Sequence, residues 1–156
     1  MKLPKKSFPS RREIIKFLKQ IKVSPLPDKV PISLSDSDVK RFLRDWEEII
    51  QNARYRYQQV FDKDLDRFYP YVQFSSDDAD PMSCSFCKSM NQLVVPKSDP
   101  LLLSFLPPFH LGCRCRLFSV TEDEVQKNSY RVISLENYQL PDPFTFTFYP
   151  FNPLER

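Results

Sequence analysis

Between residues 39 and 60 the apolar side chains Val39, Leu43, Trp46, Ile50, Ala53, Tyr57 and Val60 recur in steps of four, three, four, three, four and three. Residues so spaced fall on one face of a helix, so the pattern predicts a long amphipathic helix with an a/d seam. Phe42, Ile49 and Phe61 widen the stripe, Ser35 or Ser37 can cap its start, and Asp36, Asp38 and Asp45 lie toward its positive end. A helix of about 25 residues would be roughly 40 Å long. That length suits a helical hairpin, a self-associating stalk, or packing against the rest of one monomer. A shorter helix is predicted before it. Ser10 and Glu13 have capping-box spacing, and Ile14, Phe17, Leu18 and Ile21 form one stripe that Lys16, Lys19 and Lys22 avoid. Ser24, Pro25, Leu26 and Pro27 then stop the helix and open a linker running to Ile32.

Beyond Phe61 the rhythm changes. Asp62, Asp64 and Asp66 alternate with Lys63, Leu65 and Arg67, but the glycine and the distal glutamate of a calcium-binding loop are missing. Residues 71–75 read as a short strand, and 75–81 as an acidic turn carrying Asp77, Asp78 and Asp80. Leu93, Val94 and Val95 form an apolar run of strand length, followed by a loop over 96–108 that contains Leu101, Leu102 and Leu103. Residues 115–120 alternate as a strand, and Thr121 with Glu124 repeats the capping-box spacing ahead of a short helix. Phe144, Phe146 and Phe148 alternate with Thr145, Thr147 and Tyr149, predicting either an edge strand or an arm that docks on a partner. Pro141, Pro143, Pro150 and Pro153 favour the extended arm. No repeat of solenoid length is present.

The pattern amounts to an α+β protein: N-terminal helices, one of them long, then a small antiparallel β module and an extended aromatic tail. It divides the chain into a basic helix with a proline-rich linker (1–32), the long helix (33–68), a cysteine- and histidine-bearing module (69–125) and the tail (126–156). At 156 residues there is room for one domain with a true core. A single Gly excludes glycine-rich phosphate loops and dinucleotide fingerprints, and leaves Asn and Asp as the expected occupants of positive-φ positions.

Charge is uneven: residues 1–60 carry 14 Lys and Arg against 7 acids, a net +7, and residues 61–156 carry 9 against 13, a net −4. The basic half could rest on nucleic acid or an acidic protein face, or simply be a solvated helix surface. Residues 1–10 are basic and broken by Pro4 and Pro9, which is not a secretory signal, and no run approaches a membrane span. The expected setting is therefore a reducing one, cytoplasmic or within a virion. There, clustered cysteines read as metal ligands before disulfides.

All four cysteines, the only histidine and the only glycine fall within residues 84–116. Cys84-x2-Cys87 and His110-x2-Cys113 are two ligand pairs separated by 22 residues, the grouping that tetrahedral zinc favours, and Cys115 makes a fifth candidate. If a turn runs through Gly112, the ligands are Cys84, Cys87, His110 and Cys113, with Cys115 a neighbour. If a strand already starts at Cys113, then Cys113 and Cys115 share a face and the site is all-cysteine. A disulfide pair or four buried free thiols are the metal-free alternatives. Five crowded donors argue for a closed structural site holding one zinc per chain, not for a catalytic one. No H-x-E accompanies the cysteine pair, and a Cys–His nucleophile would have competing thiols and no evident orienting residue. The chain is therefore expected not to be an enzyme.

Asp80-x3-Cys84-x2-Cys87, followed by Pro107-Pro108-Phe109-His110-x2-Cys113-Arg114-Cys115-Arg116-Leu117-x2-Val120, resembles the C-terminal signature of the phage Mu F-like head morphogenesis proteins. These minor capsid proteins are similar to portal-associated proteins of other tailed phages. The resemblance covers residues 68–122 and implies a part in virion assembly, with portal or capsid proteins as partners and contact with packaged DNA. Leu111 and Gly112 replace the family's usual Pro-Asn, and Asn91-Gln92 stands where a glycine-bearing turn is common. The helical front is also shorter than in most members. From another class comes a nucleic-acid-binding zinc module using the basic N-terminal helices with Arg114 and Arg116. The sequence gives it less support, because its aromatic residues are not interleaved with the basic ones.

Overall fold

A computed structural model describes residues 8–23, 30–76 and 84–145. Part of the predicted linker (24–29), most of the acidic turn (77–83, including Asp80), and the tail from residue 146 lie outside the described residues, as do residues 1–7. The elements run α1 (Arg11–Gln20), β1 (Lys22–Val23), β2 (Ile32–Ser33), α2 (Asp36–Val60), β3 (Tyr71–Ser75), α3 (Ser85–Met90), β4 (Val94–Pro96), β5 (Arg116–Val120) and α4 (Glu122–Lys127). The fold is α+β: four helices, one long, with two small antiparallel sheets among the described residues. β2 spans the 32/33 boundary drawn from sequence, and α4 spans the one at 125/126.

Local chemistry accounts for the helix starts. The Ser10 hydroxyl accepts from the Glu13 amide while the Glu13 carboxylate accepts from the Ser10 amide, at 3.2 and 2.7 Å. The capping bonds hold the Glu13 carboxyl below its ordinary pKa. Ser35 and Asp38 repeat the arrangement at the head of α2, and Thr121 and Glu124 at the head of α4. β1 and β2 pair as a two-residue ladder, too short for a periodic signal in sequence.

The seam of α2 serves two cores in succession. Val39, Phe42, Leu43 and Trp46 are buried with Ile14 and Leu18 of α1, where Trp46 stacks on Phe42 and meets Phe8 edge-on. Tyr57 and Val60 are buried in a second core with Val72 and Phe74 of β3, Val95 of β4 and Leu117 of β5. Burying each large apolar side chain contributes about 1.5–3 kcal/mol; between the two cores the seam residues Ile50 and Ala53 are half-buried.

The second sheet has the order β4-β3-β5, antiparallel throughout. Val72 and Phe74 point into the core and their neighbours do not, the alternation expected of a half-buried strand. The tail is less extended than its prolines suggest. Val132 bridges Val94, residues Leu135–Asn137 form a 3-10 turn, and the Phe144 ring packs 5.1 Å from that of Phe17 on α1. Up to Thr145, then, the tail docks on its own chain.

Two features depart from the sequence reading. Among the described residues the non-glycine positions with positive φ are Gln92 (64°) and Ser129 (52°), not Asn or Asp. At the turn after α3, Asn91 is instead employed through its side chain, whose oxygen accepts from the Ser76 amide at 2.9 Å. The second is Lys97. Its last-turn position being without a basic residue, α2 takes its C-terminal cation from elsewhere: the Lys97 ammonium donates to the Val60 carbonyl at 2.7 Å and to Asp66 at 3.1 Å. Only 9% of the Lys97 side chain is exposed. Charge-assisted bonds of this kind resist screening by water. Lys97→Met, which keeps the stem and removes the ammonium, is expected to cost ~2 kcal/mol, read as a lower urea midpoint. An unchanged midpoint would mean that water caps α2 equally well.

Candidate metal centre

The two donor pairs arrive by different local devices. Cys84 is the N-cap of α3, and its Sγ accepts from the Cys87 amide at 3.3 Å. The helix that follows this cap buries Cys87 and Met90. Ser76, just past β3, anchors α3 by donating its hydroxyl to the Cys87 carbonyl at 2.9 Å.

The second pair sits on a turn through Leu111 and Gly112. Gly112 takes φ 80°, where a Cβ would be penalised, and the Cys113 amide closes the turn on the His110 carbonyl at 3.1 Å. Leu111 is fully buried in the α1/α2 core, and its amide donates to the Pro143 carbonyl at 2.9 Å. His110 and Cys113 are also buried, with Cys113 in the second core. The loop thus inserts one residue into each core, which gives a physical reason for leucine where the resembled family has proline.

All five candidates converge. Cys84, Cys87 and His110 place their donor atoms within 4.8 Å of one another, and so do Cys87, Cys113 and Cys115. Cys87 belongs to both sets. Its Sγ lies 3.3 Å from Cys84 Sγ, 3.2 Å from His110 Nε2 and 3.7 Å from Cys113 Sγ. Sulfurs held about 2.3 Å from a tetrahedral zinc are about 3.8 Å apart, so closing on an ion requires only small adjustments. The turn through Gly112 is present and the strand begins at Arg116, yet Cys115 still joins the cluster.

His110 is oriented for coordination. Its Nδ1 faces the Leu111 carbonyl at 2.8 Å, which can only accept, so Nδ1 carries the proton and the Nε2 lone pair points at the sulfurs. Backbone fixing of the tautomer is the usual support for a ligating imidazole. The thiols also interact with one another. Burial opposes ionisation of Cys113, but hydrogen bonds from Cys115 and Cys87 outweigh it and draw its pKa below the ordinary value. The bond to Cys113 pushes both Cys87 and Cys115 upward. Soft donors gathered in one cluster suit a metal cation.

The donor set is all sulfur and imidazole. Among the described residues no carboxylate belongs to either set, and none of the cysteines is in a disulfide. The cluster could hold a metal ion, and its donor chemistry fits zinc. Sequence reasoning identified these five residues from rarity and spacing.

Structure and site thus define an α+β protein with a buried cysteine–histidine cluster able to hold a metal. No protein-family model, curated protein or solved structure matches the chain. Among the described residues no helix is long and apolar enough to cross a membrane.

Proposed function

We propose that the chain is a non-enzymatic structural protein in which one zinc ion staples α3 to the loop leading into β5, acting in phage or prophage head assembly. The observation that carries the structural part is the convergence of five sulfur and imidazole donors on Cys87 without a carboxylate. A catalytic zinc keeps a position for water, typically beside a carboxylate base; here surplus protein donors compete for every position. The head-assembly part is supported by the Pro-Pro-x-His-x2-Cys-Arg-Cys resemblance and extends to portal or capsid proteins as partners. Co-expression with phage portal and capsid proteins, followed by affinity capture, is expected to recover a complex with one of them. Failure to recover either would overturn the assignment to head assembly while leaving the zinc staple standing.

One observation favours a second reading. Tyr55, Arg56, Arg114 and Arg116 line a groove of about 580 Å³ between α2 and the start of β5, and Arg56 lies 5.0 Å above the exposed Phe118 ring. Basic and aromatic side chains are thus interleaved in space though not in sequence, as on single-strand nucleic-acid platforms. Asp45 and Glu48 at the same groove weigh against it. This reading requires DNA affinity that falls steeply with salt; no binding at low salt would dispose of it.

A further inference from the structure

A tetrahedral ion uses four donors, and this chain brings five together. They gather as two threes, Cys84 with Cys87 and His110, and Cys87 with Cys113 and Cys115, each within 4.8 Å of one another. Cys87 is common to both. Each three also draws on both segments of the cluster. Cys84 and Cys87 come from the cap and first turn of α3, while His110, Cys113 and Cys115 come from the loop before β5.

Three donors leave the shell of a tetrahedral zinc incomplete, but they suit a soft monovalent ion. Thiolates select copper(I), whose filled d shell accepts three donors in a plane. Donors about 2.3 Å from the centre of an equilateral triangle lie about 4.0 Å apart. Cys87 Sγ approaches that spacing with Cys84 Sγ at 3.3 Å, His110 Nε2 at 3.2 Å and Cys113 Sγ at 3.7 Å. A thiolate has lone pairs for two ions, and a sulfur shared by two sets of donors is placed to bridge them. Neither set contains a carboxylate, the donor that would favour a harder ion. Charge points the same way. Cys87, His110 and Cys113 are buried, where unbalanced charge is costly, and two copper(I) ions carry the same charge as one zinc ion.

We infer that the cluster is also a dinuclear copper(I) site: one ion on Cys84, Cys87 and His110, a second on Cys87, Cys113 and Cys115, with the Cys87 thiolate bridging them. This assignment rests on the metal-site reading above. The exchange is ligand substitution without oxidation or reduction: two copper(I) ions enter, one zinc ion leaves, and the thiolates stay deprotonated. Because each three spans α3 and the loop, either ion joins them and the fold survives the exchange.

The test titrates the zinc-loaded chain with copper(I) under anaerobic conditions, with bicinchoninate as a competing chelator. Elemental analysis after desalting counts both metals, and X-ray absorption at the copper edge reads the coordination. Two copper ions per chain are expected, with loss of the zinc, three donors to each copper and a copper neighbour in the spectrum. Cys87→Ser is expected to lose the copper neighbour and to leave copper with two donors. One copper per chain, or two without a copper neighbour, overturns the inference and leaves the zinc staple standing. A copper neighbour that persists in Cys87→Ser overturns the bridge as well. Should that variant fail to fold, the wild-type count and spectrum decide by themselves. Wild type that takes up neither zinc nor copper overturns the metal reading itself.

Discussion

Stripping zinc with a chelator is expected to unfold the sheet module while the α1–α2 pair keeps most of its helix. The magnitudes decide this. Structural zinc bound by sulfur and imidazole contributes about 10–16 kcal/mol at neutral pH, whereas a whole domain is stable by only about 5–15 kcal/mol. Without the ion, α3 and the His110 turn are held together by the contacts of Cys87 with His110 and Cys113 and by the edge-on packing of Phe86 against Phe109. Hydrogen exchange should therefore lose protection across β3, β4 and β5. Trp46, the sole tryptophan, lies in the other core and should report little change in emission. Protein purified without chelators should carry one zinc per chain, and elemental analysis finding none would end the metal reading. Acid should mimic the chelator. The ligands are deprotonated in the loaded fold, so the metal's contribution is present at neutral pH and is lost as pH falls and protons displace the ion.

What was legible in the sequence depended on how local each signal is. β3 was readable because Val72 and Phe74 alternate with polar neighbours over five residues, and α2 because its seam persists for six turns. α3 was not: six residues bracketed by a cysteine pair give no helical period, and Cys84 is an unusual cap. The β1–β2 ladder has only two residues on each side. Lys97 was invisible for a different reason, since it caps a helix that ended 37 residues earlier. At the site, rarity and spacing singled out all five donors, but not their arrangement. No spacing rule shows that Cys87 is common to both sets, or that Leu111 reaches into the opposite core. The groove makes the same point, for Arg56 and Phe118 are 62 residues apart in sequence and adjacent only after folding.

The shared position of Cys87 leads to the largest effect expected of any single substitution. Cys87→Ser should weaken zinc binding by well over 100-fold, beyond the range seen when outer hydrogen bonds are removed. Cys84→Ser and Cys115→Ser should each cost far less. The reason is arithmetic within the geometry. Losing Cys84 leaves Cys87, His110, Cys113 and Cys115; losing Cys115 leaves Cys84, Cys87, His110 and Cys113. Either remainder supplies the four donors of a tetrahedral ion. Losing Cys87 also leaves four, but they are split into Cys84 with His110 and Cys113 with Cys115, and the sulfur that lies between the pairs is gone. Bringing them onto one ion would then require moving α3 toward β5 through a packed core, which resists such shifts. Chelator competition on the three variants, at one pH and with folding checked by far-UV circular dichroism, gives the ranking. Equal losses for all three would mean that the ion does not centre on Cys87, and that the two donor sets compete for it as independent sites.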